Sequence, residues 1–246
     1  MHVLLIGPRG DGEREQTTRR TAAALARGLL AAGERVSWLG PPGEAARLGD
    51  PRIELIEADS RPPAFRSVEA QLVDIPRERA LCAALRHEPP DLVLVLGFGG
   101  ANSYLLPWLA DRLGVPPIVV ASPIAQVLCH RGSLVDREGA ACSEWRDARR
   151  CAACCRGRSA VGLGALQAGL ATLCRPLRGL SPFPHRTAFL NRLDMIAQGL
   201  ASARLVLVDD EPARAALIEL GVPERLLRVG LPPDVGAWRE LARGVL

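Results

Sequence analysis

The chain contains no lysine, because all 31 of its basic residues are arginine. Schiff-base catalysis and the lysine-dependent phosphate loop are therefore excluded for these residues. The sequence also lacks an apolar run near the roughly 18 residues that a membrane-spanning helix needs. The apolar start at residues 1–6 is too short for a signal peptide and has no basic flank. We expect a cytoplasmic protein whose thiols are reduced or bound to metal.

Hydrophobic residues make up 48% of the sequence and charged residues 24%, which is typical of a soluble globular protein. A chain of 246 residues can bury a sizeable core, in one large domain or two modest ones. The charges are unevenly placed, since residues 129–192 contain 11 arginines and four acidic residues. This surplus favours an anionic partner, such as a phosphorylated lipid, a nucleotide or an acidic surface.

Strand and helix patterns alternate along the chain. Short apolar runs predict strands, and longer amphipathic stretches that end at glycine predict helices. The predicted strands cover residues 2–7, 35–39, 53–58, 92–96, 117–121 and 205–208. The predicted helices cover residues 17–32, 68–87, 105–113, 159–173, 187–201 and 211–220. This order predicts an α/β fold with a Rossmann-like, doubly wound parallel sheet that binds ligands at the carboxyl ends of its strands.

Two glycine-rich loops follow predicted strands, at residues 7–12 and 97–103. The first lacks the G-x-G-x-x-G order, and the second strand ends without an acidic residue for a ribose, so a nicotinamide cofactor is disfavoured. Both loops are equally compatible with tight turns that bind no ligand. Asn102 and Ser103 are also compatible with a role as helix caps. The candidate substrate-binding residues of these loops are Gly10, Asp11, Gly12, Gly97, Gly99, Gly100, Asn102 and Ser103.

Four cysteines fall within one short stretch of sequence, and the last two form a C-x-x-C motif. That spacing lets a tight turn present both sulfurs to one ion, so we expect a structural Zn²⁺ site, with an iron–sulfur cluster as the second choice. The alternative is that these cysteines are buried, reduced thiols. Cys155 and His130 lie next to the expected ligands and could replace one of them. The expected metal ligands are Cys129, Cys142, Cys151 and Cys154.

The cysteine segment also carries a family resemblance. It reads Leu-Cys-His-Arg-Gly-Ser-Leu at residues 128–134 and Arg-Cys-Ala-Ala-Cys at 150–154, and Glu-Leu-Gly-Val-Pro-Glu-Arg follows at 219–225. In this order of elements the chain resembles the N-terminal half of family 4 retaining glycosyltransferases of the GT-B fold. A subset of that family carries a similar cysteine-rich insertion. The likeness extends over residues 1–235, and its sharpest motifs lie in residues 117–155 and 203–229.

The resemblance implies a GT-B N-terminal domain at residues 1–235, with the cysteine-rich insertion at 128–158. Residues 236–246 would be a tail or the start of a donor domain. The implied function is that of an acceptor-side half, which holds a glycan or lipid-linked acceptor. It would transfer sugar from a nucleotide sugar only with a donor domain that is a separate chain or has been removed. Arg131, within the family-like motif, would grip a phosphate or brace the cysteine segment.

Two departures from the family pattern leave the catalytic residues unassigned. The family's Gly-Gly in the first loop aligns with Gln16 and Thr17, and its His-Asp pair aligns with Pro123 and Ile124. A non-catalytic relative that binds a glycan, a lipid phosphate or a partner protein is therefore the alternative function.

Two other surfaces are candidate binding sites. Nucleic-acid binding at residues 149–158 is disfavoured because only Trp145 lies nearby to stack on a base. The uncharged stretch 159–174, flanked by arginines, is compatible with peripheral contact with a membrane, although its glycines favour close helix packing.

Overall fold

The structure is a computed structural model. It describes residues 1–8, 13–42, 48–58, 73–98, 102–130, 132–136, 139–155 and 186–246. In the first helix, the side chains are described from residue 18 onward. The strands are β1 (His2–Ile6), β2 (Arg35–Gly40), β3 (Glu54–Glu57), β4 (Leu92–Leu96), β5 (Pro117–Val120), β6 (Leu205–Val208) and β7 (Leu227–Val229). The helices are α1 (Glu13–Ala31), α2 (Ile75–His87), α3 (Leu106–Arg112), α4 (Ile124–Leu128), α5 (Ala148–Cys155), α6 (Arg186–Ala201), α7 (Glu211–Leu220) and α8 (Val235–Val245).

The described strands form one parallel sheet in the order β3-β2-β1-β4-β5-β6-β7. Leu5 in the middle of β1 pairs with Trp38 of β2 on one side and with Leu94 of β4 on the other. Every residue of β4 and β5 is buried, as expected for central parallel strands covered on both faces. The predicted doubly wound, Rossmann-like sheet is confirmed.

Each face of the sheet carries its own hydrophobic core, because alternate residues of a strand point to opposite faces. Val3 and Leu5 pack toward α1 and α8, whereas Leu4 and Ile6 pack toward α2, α3, α6 and α7. The chain is thus a three-layer sandwich of helices, sheet and helices. No described helix has both the length and the apolar character needed to cross a bilayer.

Helix ends follow their capping residues. The carboxylate of Asp210 accepts a hydrogen bond of 2.8 Å from the amide of Ala213, which begins α7. Gly221 ends this helix with a φ of 100°, a left-handed conformation that glycine adopts without steric cost. The predicted bounds of α7, β4 and β6 agree with the structure, whereas the predicted helices at 68–87 and 159–173 include residues outside the described ranges.

The last helix, α8, was not predicted as a helix. Asp234 caps it by accepting a hydrogen bond from Ala237, and its apolar face packs on α1. Arg239 donates a 2.8 Å hydrogen bond to the buried carboxylate of Glu34, which holds the helix against the turn between α1 and β2. The helix therefore completes the layer that covers one face of the sheet.

Candidate functional site

The central strands β1 and β4 are neighbours in the sheet, but the chain leaves them in opposite directions. From β1 it continues to β2 and β3 on one side, and from β4 it continues to β5, β6 and β7 on the other. A crevice opens at the carboxyl ends of parallel strands where the order reverses in this way, and α/β proteins bind ligands there. The topology therefore places the candidate site next to the carboxyl ends of β1, β4 and β5.

A cavity of about 540 Å³ lies at this edge of the sheet. We call it the cleft cavity. Its walls come from α1, the carboxyl ends of β4 and β5, the start of α4 and the inner face of α8. The size falls within the range of small-molecule sites, which is roughly 300–1,000 Å³. The described lining residues are Thr18, Thr21, Ala22, Leu25, Leu96, Val120, Ser122, Pro123, Ala125, Ser133, Leu231 and Trp238.

Ser122 and Asp209 form a hydrogen-bonded pair beside this cavity. Ser122 follows β5 and Asp209 follows β6, so the two neighbouring strands bring together residues that are 87 positions apart. The Ser122 hydroxyl donates a 2.5 Å hydrogen bond to Oδ1 of Asp209. Because the serine hydroxyl donates its hydrogen bond to the carboxylate, its oxygen keeps lone pairs that can accept a further hydrogen bond.

Three of the loop residues expected to bind substrate are described, and all three follow β4. Gly97 has a φ of 68°, a conformation that favours glycine, and a Cβ atom there would make a tight contact of 3.2 Å with Thr18 Cγ2. Asn102 is buried and donates a 3.0 Å hydrogen bond to the carbonyl of Leu96. Ser103 is buried and donates to Glu78 at 2.6 Å. Both side chains therefore bond to protein groups within the fold.

A buried arginine connects the loops after β1 and β4. Arg77 of α2 is fully buried and donates to the carbonyl of Gly7 at 3.0 Å and to the side-chain oxygen of Asn102. Arg77 of α2 thus links Asn102, which follows β4, to Gly7, which follows β1. The other loop residues expected to bind substrate lie outside the described residues, and so does Arg131; they are Gly10, Asp11, Gly12, Gly99 and Gly100.

The cysteine segment forms a second site. An antiparallel bridge joins Val135 and Ala141, between α4 and α5 in the chain. Cys151 and Cys154 are three residues apart on α5 and thus share one face of the helix. The four expected ligands Cys129, Cys142, Cys151 and Cys154 line one cavity of about 330 Å³, together with Cys155 and His130.

Burial is the main cause that raises the pKa of Cys151 to about 11, and the neighbouring Cys142 and Cys129 contribute in the same direction. The structure thus brings all four cysteines to one place. Among the described histidine, cysteine, aspartate and glutamate side chains, however, no group of three or more is arranged to hold a metal ion. The cysteine convergence is observed, and the zinc site remains a prediction.

Sequence reasoning missed the residues that build the cleft cavity. Trp238 reaches it from α8, which was not predicted, and Ser122 and Asp209 meet only through strand pairing. One signal was available, since Ser122 and Asp209 each follow a buried strand closely and Asp210 alone caps α7. An acidic residue at a strand end that is not needed as a cap is a candidate for a ligand site.

Comparison with known proteins gives matches among solved structures only. No family model matches the chain, and no curated protein matches its sequence. Similar structures include the glycotransferase of kitacinnamycin, with 17% identity, coverage of 92% of this chain and 50% of that chain, and a TM-score of 0.45. Sucrose-phosphate synthase from Thermosynechococcus elongatus has 14% identity, coverage of 100% and 99%, and a TM-score of 0.49.

MurG from Acinetobacter baumannii is also similar, with 15% identity, coverage of 99% of this chain and 82% of that chain, and a TM-score of 0.37. The chain thus spans about half the length of the first of these structures. At TM-scores below 0.5, these likenesses carry no argument about function.

Proposed function

We propose that this chain is the acceptor-binding domain of a retaining glycosyltransferase with the GT-B architecture, which acts together with a domain that holds the nucleotide sugar. The observation that carries the proposal is the cleft cavity at the carboxyl edge of the parallel sheet. Its position is that of ligand sites in doubly wound folds, and its size suits a small molecule. The sequence resemblance in residues 117–155 and 203–229 points to the same family.

Glycosyl transfer requires one site for the acceptor and another for the nucleotide sugar, and we assign these sites to two domains. A bond forms between the acceptor oxygen and the anomeric carbon, the bond from that carbon to the nucleotide diphosphate breaks, and the acceptor hydroxyl loses its proton. The leaving diphosphate needs positive charge or hydrogen-bond donors to stabilise it. In this scheme the cleft cavity holds the acceptor, and the donor domain supplies the groups that stabilise the diphosphate.

We expect the 246-residue chain alone neither to hydrolyse common nucleotide sugars nor to transfer sugar from them. Calorimetry should give a Kd of about 1 mM or weaker for free nucleoside diphosphates, which corresponds to roughly −4 kcal/mol. Addition of the matching donor domain should restore transfer. The control is the same titration with the donor domain alone, which should bind the nucleotide. Micromolar binding or turnover of a nucleotide sugar by this chain alone would overturn the division between domains.

A second proposal concerns the cysteine segment, where Cys129, Cys142, Cys151 and Cys154 hold one Zn²⁺ ion that stabilises the insertion. The support is the convergence of four thiols on one cavity from the segment after α4 and from one face of α5. Thiolate sulfur is a preferred zinc donor, and four such ligands make a closed structural site. The donor set therefore fits zinc.

We expect protein purified without oxygen to contain about one zinc ion per chain, because structural zinc binding contributes directly to folding free energy. Cys151→Ser and Cys154→Ser should each lose the metal and lower the Tm by several degrees. Cys82→Ser is the matched control, because Cys82 lies on α2 away from the cavity and should keep the metal. Elemental analysis that finds no metal in the wild-type protein would disprove the zinc site, and a coloured preparation would indicate iron and sulfur.

A further inference from the structure

We infer that the buried Arg192 offsets part of the negative charge that the four cysteine thiolates place around zinc, and thereby strengthens zinc binding. The inference rests on the proposed zinc site and adds to it a positioning residue that acts on the metal through its ligands. Three observations carry it: the burial of Arg192, the hydrogen bonds that fix its guanidinium, and the packing of its helix against the cysteine segment.

The guanidinium of Arg192 is held in one place inside the protein. Arg192 lies on α6 and is only 2% exposed, and an arginine keeps its positive charge when it is buried. It donates hydrogen bonds to the carbonyls of Val127 and Leu128 and to the hydroxyl of Tyr104. The two carbonyls directly precede Cys129 in the chain, so the charge is fixed beside the first of the four expected ligands.

The face of α6 that carries Arg192 packs against the cysteine segment. Phe189 lies three residues before Arg192, and residues at this spacing share one face of a helix. Phe189 lines the cavity of the four cysteines and packs in one apolar cluster with Ala152, Cys151 and Cys155 of α5. Arg192 is therefore next to the helix that supplies the C-x-x-C pair.

The charge of Arg192 also acts on a cysteine of α5. Burial raises the pKa of Cys151, and the positive charge of Arg192 works on the same thiol in the opposite direction. This agrees with the packing of α6 on α5, since the effect of one charge on another falls with distance. The thiolate form of the cysteine is the form that binds metal.

A buried positive charge favours the metal-loaded form of such a site. A Zn²⁺ ion with four thiolate ligands keeps a net negative charge, and burial of uncompensated charge is unfavourable. A cation inside the protein is screened far less than a cation in water, so its attraction for this group is stronger. The hydrogen bonds of Arg192 to Val127 and Leu128 hold the cation in position before the metal arrives.

Arg150 provides a contrast, because it lines the same cavity under different conditions. Its side chain is exposed and forms an ion pair with Glu144, which also lines the cavity. Exposed charges are screened by water and salt, and their ion pairs contribute little. Arg150 and Arg192 thus differ in burial although both lie at the cysteine segment. Arg150 is therefore a suitable control for the loss of one positive charge.

The inference is tested by competition for zinc with a fluorescent chelator, in variants that circular dichroism shows to be folded. Arg192→Gln removes the charge and should weaken zinc binding about 10–100-fold, the usual range for partners of metal ligands. Arg192→Lys keeps the charge and should stay within about fivefold of the wild-type affinity, although it loses the fork of donors. Arg150→Gln should weaken zinc binding by no more than about threefold.

Leu200→Ala separates the effect of charge from that of stability. Leu200 is fully buried on α6 and eight residues after Arg192, so the two lie about 12 Å apart along the helix. Alanine at this position leaves a cavity and destabilises the fold. Because the site of the change is distant from the cysteines, zinc affinity should fall by no more than about threefold.

The possible results distinguish this inference from the zinc site on which it rests. Equal zinc affinity of the wild type and Arg192→Gln, or an equal loss in Arg192→Gln and Arg192→Lys, overturns the inference and leaves the zinc site standing. A loss in Leu200→Ala or Arg150→Gln as large as that in Arg192→Gln overturns it too. Wild-type protein that binds no zinc overturns the proposed zinc site and the inference together.

Discussion

Replacement of Arg192 by methionine should lower the free energy of unfolding by about 2–4 kcal/mol, because it leaves buried acceptors without their charged donor. Arg192 lies on α6 and is only 2% exposed. Its guanidinium donates to the carbonyls of Val127 at 2.7 Å and Leu128 at 2.9 Å, and to the hydroxyl of Tyr104 at 3.2 Å. The two carbonyls belong to the last turn of α4, where a helix has no internal donors for them. Arg192 thus caps α4.

Urea denaturation measures this effect, with the slope of the transition as the check for two-state behaviour. Arg186→Met is the matched control, because Arg186 is exposed on the same helix and its replacement should change stability by less than about 0.5 kcal/mol. Arg192→Lys should fall between the two, because an ammonium keeps the charge but cannot reach three acceptors in a fork. Equal stability of the Arg192 and Arg186 variants would show that the cap contributes nothing.

Arg192 also positions the chain at the start of the segment that contains the four cysteines. The carbonyls that it holds immediately precede Cys129, which follows α4. Arg192 therefore fixes the point at which the chain enters the cysteine segment. On the same helix, Phe189 packs against Ala148 and Ala152 of α5, so α6 supports both ends of that segment. The fold and the second site consequently depend on the same helix.

Much of the sheet could be predicted, because a buried parallel strand shows in the sequence as a continuous apolar run. The runs at Leu92–Leu96 and Leu205–Val208 agree with the observed strands at both ends. The helix Glu211–Leu220 was also predictable, since an aspartate cap, a proline in the first turn and a terminal glycine mark its ends. These signals are local, and local signals can be read from one sequence.

The elements that were missed have weaker or different signals. The helices Ile124–Leu128 and Ala148–Cys155 are too short to form without tertiary contacts. For Ile124–Leu128 such a contact is the Arg192 cap. The helix Val235–Val245 is different. Asp234 precedes apolar residues at helical spacing, so its start could have been read from the sequence.

The position of the candidate site follows from the sequence, but its detail does not. The rule that ligands bind at the carboxyl ends of parallel strands points to the edge of the sheet where the cleft cavity lies. It could not identify Ser122 and Asp209 as partners, because they meet only once β5 and β6 pair. Nor could it show that Asn102 bonds to the carbonyl of Leu96 and to Arg77 within the fold. Contacts that depend on pairing and packing are not encoded in local spacing.

Replacement of Gly199 by alanine should destabilise the protein by about 3 kcal/mol, although the same change in an exposed helix stabilises by about 1 kcal/mol. Gly199 is buried on α6, where the helix crosses the loop before α3. A Cβ atom at this position would lie 2.3 Å from the carbonyl oxygen of Tyr104, which is backbone and cannot rotate away. Either the helix or the loop would have to move.

Two other helical glycines provide controls that separate packing from helix propensity. A Cβ atom on Gly244 of α8 would meet nothing within 4 Å, so Gly244→Ala should leave stability unchanged or raise it by up to about 1 kcal/mol. At Gly28 of α1 the clash is with the side chain of Val235, which can shift with α8, so Gly28→Ala should cost less than Gly199→Ala. Urea denaturation of the three variants should give the order Gly244, Gly28, Gly199 from most to least stable. A stabilising effect of Gly199→Ala would show that α6 and the backbone at Tyr104 are farther apart than the structure places them.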